Sequence, residues 1–321
     1  MTRILLSTNV RDERNLSEWV LYHWKIGFDG IWIWDDFSTS EWSPETLLKD
    51  LPSLPHGKNL ELVHGKDHPR VRDKKAYMNK AKQYASCNGY DWMIHIDLDE
   101  YFYCEQEDVH LFLETIKSKK SNVIMPPLIH PLIPSSPPSP PSPPSVEDWE
   151  RVGTIAIPWV MYGSSYLHRS PDPSSDHTLN DSKEENCKHS LIIPYTRSDK
   201  HPNEHMKALF RVSRAIHPLS PHHWEMQPRS LCIDITGKIV PNRAKHEHFK
   251  QWSVETVSCF LGHYVNQSWE DFCRRRSRGR DDTRVRRDFP YPLLPHKSPP
   301  KSFEGMYNST ENRRILSFWI R

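Results

Sequence analysis

The twelve residues WMIHIDLDEYFY, at positions 92–103, join an apolar run to an acidic motif. The run from Trp92 to Ile96 predicts a buried strand, because short apolar runs bounded by polar residues are typical of buried strands. Asp97 and Asp99 follow directly at the end of this run. Residues two apart on an extended chain lie on one face, so both carboxylates are predicted to point the same way.

Two carboxylates at the end of a strand suit a hard divalent cation. Mg²⁺ and Mn²⁺ take oxygen ligands and keep other coordination positions for water and phosphate oxygens. A cation at this position would neutralise a diphosphate and stabilise it as a leaving group. The motif therefore predicts a Mn²⁺ or Mg²⁺ site at Asp97 and Asp99, with an acidic surface turn as the alternative.

Strand and helix patterns alternate in the first third of the chain. Apolar runs predict strands at 4–8, 30–34 and 60–63, and helical spacing predicts helices at 16–28 and 74–86. With the strand at 92–96, this order predicts an α/β fold in which helices flank a mostly parallel sheet.

Asn15 and Glu18 have the spacing of a helix N-terminal capping box. In that motif the first side chain accepts a backbone hydrogen bond from the first turn, and the acidic side chain reaches back to the cap residue. The pattern therefore predicts that the first helix starts just after Asn15.

Polar residues follow the first two predicted strands. They are Asn9, Arg11 and Glu13 after the first strand and Asp35, Asp36 and Ser38 after the second. Ligands of such sheets bind beyond the carboxyl ends of the strands, so these side chains are predicted to share a crevice with Asp97. A carboxylate there can accept hydrogen bonds from a ribose or a uracil edge, and capped turns are the alternative.

Composition excludes several classes of protein. The formal net charge of +2 over 321 residues gives no global basic field for nucleic acid. The six cysteines form no CxxC pair, which argues against a zinc module and a disulfide scaffold. No apolar segment is long enough to span a bilayer and no signal segment is visible, which predicts a cytoplasmic protein without an integral membrane segment.

Five blocks of sequence resemble the family 2-like and family 92 glycosyltransferases. Residues 4–40 are similar to the opening of those families, and WMIHIDLDEYFY is similar to their metal motif. Three further blocks follow in the same order, WVMYGSS at 159–165, KALFR at 207–211 and GHYVNQSWEDF at 262–272. The resemblance spans residues 3–282 and is interrupted by a proline-rich tract.

The resemblance implies a GT-A fold, a UDP-sugar or other nucleotide-sugar donor, a divalent metal, and inverting transfer to a hydroxyl of a glycan or glycoconjugate. It implies that His263 joins Asp97 and Asp99 as a metal ligand. The implied acceptor-side residues are Trp159, Gly163, Ser164 and Ser165. The donor-binding set is Asn9, Arg11, Glu13, Asp35, Asp36, Ser38, Lys80, Asp97, Lys207 and Arg211.

Inverting transfer also needs a base that removes the proton of the acceptor hydroxyl. The candidates are Glu100, Asp199, Glu204 and Glu225, among which the sequence does not choose.

The resemblance also implies a domain organisation. A single GT-A domain is expected over 1–289, with a nucleotide-binding half at 1–105 and an acceptor half at 106–289. A proline-rich insertion is expected at 131–149 and a C-terminal tail at 290–321. Eukaryotic relatives usually work in the Golgi lumen, which is the expected compartment if the N-terminus is incomplete.

Two residues depart from the family pattern. Ser40 replaces the last Asp of the motif after the second strand, and Gln267 replaces a Lys near His263. These departures leave open a catalytically inactive protein that binds a nucleotide or carbohydrate. A nucleotidyltransferase is disfavoured, because the loop at 7–15 lacks the glycines that usually bind a triphosphate.

Overall fold

The computed structural model describes residues 2–49, 51, 57–68, 73–120, 146–167, 192–265, 267–277, 301–304 and 306–321. The strands are β1 (Ile4–Val10), β2 (Gly30–Asp35), β3 (Asn59–His64), β4 (Trp92–His95), β5 (Glu100–Cys104), β6 (Val152–Met161), β7 (Arg197–Ser198), β8 (Met206–Arg211), β9 (Ala215–Pro218), β10 (Trp224–Met226), β11 (Leu231–Asp234), β12 (Ile239–Val240), β13 (Cys259–His263) and β14 (Thr310–Glu311). The helices are α1 (Leu16–Lys25), α2 (Pro44–Leu48), α3 (Lys74–Cys87), α4 (Val109–Lys120), α5 (Val146–Arg151), α6 (Trp269–Ser277), α7 (Lys301–Glu304) and α8 (Arg314–Ile320).

A mixed, mostly parallel sheet flanked by helices forms the centre of the described chain. Its strand order is β12-β11-β6-β8-β4-β1-β2-β3, and β13 joins β6 to β5. β1 pairs in parallel with β2 and β4, and β2 pairs in parallel with β3. β8 runs antiparallel to both of its neighbours, β4 and β6. The α/β prediction is therefore confirmed at the level of class and sheet.

The strands formed where apolar runs predicted them. All six residues of β2 are buried, whereas β3 lies at the end of the sheet and is only partly buried. β6 continues through Pro158, which lies opposite Met206 of β8. Most of the predicted insertion at 131–149 lies outside the described residues, but its last residues begin α5 at Val146.

One edge of the sheet collects the carboxyl ends of most strands. β1 has β2 on one side and β4 on the other, so the strand order reverses between β1 and β4, where α/β sheets open a crevice. β5 and β8 run the opposite way and start at this edge. We define the carboxyl edge by the residues at these strand ends, which are Asn9, Asp35, His64, His95, Trp159, His263, Glu100 and Lys207.

α1 begins at Leu16, just after Asn15, as predicted, but the predicted side-chain cap by Asn15 is wrong. Asn15 has φ −90° and ψ 13° and makes no side-chain cap. Its amide instead donates to the Leu98 carbonyl (2.7 Å) and to the Tyr101 hydroxyl (3.2 Å). Tyr101 in turn donates to Glu18 (2.8 Å). Both polar residues of the supposed cap therefore support the segment that follows β4.

Helix α8, which lies in the predicted C-terminal tail, packs into the core. Ile315 and Phe318 of α8 are buried, and the Phe318 ring lies 5.2 Å from the Tyr22 ring of α1. Ile315 also fills the space above Gly262 of β13, where a Cβ atom would collide with its side chain. α8 thus covers α1 and β13 together. Among the described helices, none is long and apolar enough to cross a membrane.

Replacing Phe318 by Ala should lower the free energy of unfolding by about 3 kcal/mol, because a buried aromatic ring is lost and a cavity is left. Ile320→Ala on the same helix is the control, since Ile320 is 61% exposed and Phe318 only 3%. The control should change stability by about 0.5 kcal/mol or less. Urea unfolding measures the stability of both variants. An equal loss of stability in the two variants would contradict the packing of α8.

Candidate functional site

A tight turn links β4 to β5. The Glu100 amide donates to the Asp97 carbonyl (2.9 Å), and the Asp97 amide donates to Glu100 Oε2 (2.9 Å). Asp97 and Asp99 therefore lie around a turn and not along an extended strand, so the same-face argument for them is wrong. After the turn, β5 runs antiparallel to β13, which is itself parallel to β6.

Asp97 lies between two lysines. Lys207 Nζ lies 2.9 Å from Asp97 Oδ2 and 3.3 Å from Glu100 Oε2. Lys74 Nζ contacts the other oxygen of Asp97, Oδ1. Lys207 and Glu100 are fully buried, whereas Lys74 and Asp97 are partly open to solvent. Both carboxylate oxygens of Asp97 are thus in contact with ammonium groups.

Burial and neighbouring charges shift the pKa values of Asp97, Glu100 and Lys207 in different directions. Burial favours neutral Asp97, but Lys207 and Lys74 outweigh burial and hold the pKa of Asp97 well below its ordinary value. Burial raises the pKa of Glu100 to about 7, against the opposing effect of Lys207. The pKa of Lys207 is raised despite burial, because Asp97 and Glu100 favour its charged form. Lys207 and Asp97 are therefore both charged at neutral pH.

Asp99 and His263 form a second pair beside the turn. His263 Nε2 lies 3.5 Å from Asp99 Oδ2. His263 is the last residue of β13 and lies opposite Glu100 of β5. Burial lowers the pKa of His263, but the nearby carboxylates, Asp99 first, raise it above its ordinary value. The Tyr264 amide donates to the Asp99 carbonyl (2.7 Å), which fixes the backbone at this pair.

Some of the buried polar atoms without a hydrogen-bond partner lie at the carboxyl edge. In the described part of the chain these are Asn9 Oδ1, His95 Nε2, Glu100 Oε1, Trp159 Nε1 and His263 Nδ1, and others, such as Tyr90 Oη and Thr154 Oγ1, lie elsewhere. Buried groups of this kind are costly and uncommon, and each calls for a ligand or a water molecule that completes it. Their position at the ends of β1, β4, β6 and β13 is what a ligand-binding edge requires.

The loops after β1 and β2 are tied to each other. The Asp12 carboxylate accepts hydrogen bonds from the Thr39 amide (2.7 Å) and hydroxyl (2.8 Å), and the Asp12 amide donates to Ser38 Oγ (3.2 Å). Asp35 accepts from the Ser38 amide (3.0 Å) and lies 3.5 Å from His64 Nδ1. Asp35 and Ser38 thus hold the loops at the crevice in place.

Most of the predicted donor-binding residues come together at or next to this edge. They are Asn9, Arg11, Glu13, Asp35, Asp36, Ser38, Asp97 and Lys207. Asp36 is held there by its backbone amide, which donates to the Val10 carbonyl (2.8 Å). Lys80 is exposed along α3, and the lysine of that helix that contacts Asp97 is Lys74, which no sequence motif had marked.

Arg211, a predicted donor-binding residue, lies away from the carboxyl edge. Arg211 ends β8 opposite Trp92, the first residue of β4, and therefore lies at the far edge of the sheet. Its guanidinium lies 5.0 Å from the centre of the Trp92 ring and 3.4 Å from Glu150. Four residues of extended strand separate the Cα atoms of Arg211 and Lys207 by roughly 13 Å. Their charged groups lie at opposite ends of β4, at Trp92 and at Asp97.

The predicted acceptor-side residues divide into two groups. The Trp159 ring lies at the carboxyl edge, with its centre 4.4 Å from that of His263. Gly163 and Ser164 are buried beneath the segment that contains Asn308, which donates to Ser164 Oγ (3.4 Å) and accepts from the Ser165 amide (2.9 Å). These three residues contact the segment around Asn308, and their role on the acceptor side stays a prediction.

The four candidate bases have different surroundings. Glu100 is buried within the turn, Glu204 pairs with two lysines, and Glu225 pairs with His217 on the β9–β10 hairpin. Asp199 lines a cavity of about 590 Å³ whose lining residues are Asp199, Lys200, His201, Pro202, Asn203, Lys250 and Ser309. The Asp199 amide donates to the Met161 carbonyl (3.0 Å), and Met161 lies opposite His263.

Metal-ligating side chains are sparse at this edge. Within the described ranges, no group of three or more His, Cys, Asp or Glu side chains is arranged to hold a metal ion. The Asp99–His263 pair offers one carboxylate and one imidazole, which suits a cation that takes its other ligands from substrate and water.

No protein-family model matches the chain, and no curated protein matches it. Among solved structures the chain is similar to the crystal structure of HddC from Yersinia pseudotuberculosis, with 10% sequence identity and a TM-score of 0.25. The similarity covers 83% of this chain and 91% of that chain. A TM-score this low carries no argument about fold or function.

Replacing Lys207 by Met should lower the free energy of unfolding by about 3 to 5 kcal/mol, because two carboxyl groups lose their buried cation. Lys245→Met is the control, since Lys245 forms an exposed pair with Glu204. Its effect should be small, because exposed ion pairs contribute little to stability. Denaturant unfolding at pH 7 measures both variants. A loss for Lys207→Met no larger than that of the control would show that Asp97 and Glu100 do not depend on Lys207.

Proposed function

We propose that this chain is a GT-A glycosyltransferase that transfers a sugar, with inversion, from a UDP-sugar to a hydroxyl of a glycan or glycoconjugate. One observation above all supports the proposal. The Asp99–His263 pair lies at the carboxyl edge, close to the point between β1 and β4 where the strand order reverses. Such switch points are where α/β sheets bind nucleotides.

We place the nucleoside of the donor over the ends of β1 and β2. The loops there are tied together through Asp12, Ser38 and Thr39, which gives a fixed surface. Asp12 and Phe37 both have positive φ angles, 52° and 60°. Non-glycine residues in this conformation store strain and concentrate at ligand-binding sites.

Asp99 and His263 are the proposed ligands of a Mn²⁺ or Mg²⁺ ion. Both oxygens of Asp97 already contact lysines, so Asp99 is the carboxylate of the motif that we assign to the metal. The unpartnered Nδ1 of His263 and Oε1 of Glu100 support a site that is completed by a ligand. A bound cation would supply charge stabilisation for the departing diphosphate.

Asp199 is the proposed base and its cavity the proposed acceptor site. Its backbone is fixed beside Met161, next to the strand that carries His263. Burial raises the pKa of Asp199, which makes it a stronger base than an ordinary Asp. Glu100 is closed to solvent, and Glu204 and Glu225 are engaged in ion pairs, so none of them is as well placed to receive a proton.

The test is release of UDP from a panel of UDP-sugars with Mn²⁺, with and without glycan acceptors. Asp99→Asn and His263→Ala should each lower kcat by roughly a hundredfold, as expected when a group that stabilises transition-state charge is removed. EDTA should abolish turnover and Mn²⁺ should restore it. Glu114→Gln, an exposed residue of α4, is the matched control and should behave as the wild type.

Binding of UDP without turnover of any donor would favour the inactive binding protein over the transferase. Turnover that persists in Asp99→Asn, or that is insensitive to EDTA, would refute the assignment of the metal site. Isothermal titration of UDP in the same samples separates these outcomes.

A further inference from the structure

Phe37 combines an exposed aromatic ring with a strained backbone. It lies two residues beyond Asp35, the last residue of β2, and it is 59% exposed. Its φ angle is 60°, in the left-handed region that glycine takes without cost and that is unusual for a bulky residue. A single exposed apolar residue needs no explanation, but an exposed ring that the fold holds at a cost in strain calls for one.

The backbone is fixed on both sides of Phe37. The Asp36 amide donates to the Val10 carbonyl (2.8 Å), and the Ser38 amide donates to Asp35 Oδ1 (3.0 Å). Further hydrogen bonds tie the loops after β1 and β2 to each other. A ligand that contacts the ring therefore does not have to order this loop first, which favours binding.

The position of Phe37 relative to the proposed metal pair suits a nucleotide. β1 lies between β2, which precedes Phe37, and β4, which precedes the turn that contains Asp99. Two strand spacings separate β2 from β4, or roughly 10 Å. A nucleoside diphosphate can bridge this gap, because its ribose holds the base apart from the phosphates. The base then lies at Phe37 when the diphosphate lies at the Asp99–His263 pair.

We propose that Phe37 stacks on the base of the nucleotide-sugar donor, an inference that rests on the proposed function. A phenyl ring has no hydrogen-bonding group, so it gains most from a flat partner such as a nucleobase. Stacking between a base and an aromatic side chain contributes affinity for every base, because each base has a π face. Phe37 therefore strengthens binding of the nucleoside without choosing among bases.

The probe is UDP, titrated calorimetrically into the whole chain in the presence of Mn²⁺. Phe37→Ala should weaken UDP binding by about tenfold to a hundredfold, the range that base stacking on an aromatic ring contributes. Phe37→Tyr keeps a ring and should bind UDP as the wild type does. Phe37→Gly removes the ring but takes a positive φ angle without strain, so it should weaken binding as much as Phe37→Ala. Leu111→Ala removes a 58% exposed apolar side chain from α4 and is the control with unchanged affinity.

Wild-type affinity for UDP in Phe37→Ala or in Phe37→Gly would overturn the proposal, and so would an equal weakening of inorganic pyrophosphate, which has no base. Thermal melts verify that each variant is folded. Sugar transfer by the wild type, with unchanged UDP affinity in Phe37→Ala, would remove the role of Phe37 and leave the transferase. UDP binding that depends on Phe37, without transfer from any donor, would support the base site and refute the transferase. Absence of UDP binding in the wild type would overturn both.

Discussion

The buried ammonium of Lys207 is the interaction around which the site is arranged. It reaches Asp97 on one side of the β4–β5 turn and Glu100 on the other. β8 can deliver it there because β8 runs antiparallel between β4 and β6 and so begins where they end. Two carboxyl groups buried next to each other would otherwise repel or remain protonated, and the turn that presents Asp99 to His263 would lose its support.

The sheet was largely predictable from sequence, because its strands are short apolar runs and its first helices follow a clear period. The meeting of Asp35, Asp97 and their neighbours at one edge followed from parallel topology alone. Local sequence pattern did not predict which polar residues line the crevice and which hold other parts of the chain in place. Asn15 and Glu18 match a capping box in spacing, yet they bind Leu98 and Tyr101, more than eighty residues away.

Other features that local sequence pattern did not reveal have the same physical origin. Lys207 and Arg211 are close in sequence, but an extended strand places them at opposite edges of the sheet. Lys74 is unremarkable in sequence because its partner, Asp97, is reached only once α3 and β4 lie side by side. The apolar residues of α8 follow a proline-rich segment and gave no sign that they complete the core over Tyr22. Each case depends on a contact between distant parts of the chain.

The position of α8 allows a substitution in this helix to affect residues at the crevice. Ile315 rests on Gly262, and the next residue along β13 is His263. A larger side chain at 262, or a smaller one at 315, would shift the end of β13 while leaving every polar group of the crevice chemically intact. Such changes would alter the distance between the imidazole of His263 and the carboxylate of Asp99. A substitution in α8 can therefore change the geometry of this pair from outside the crevice.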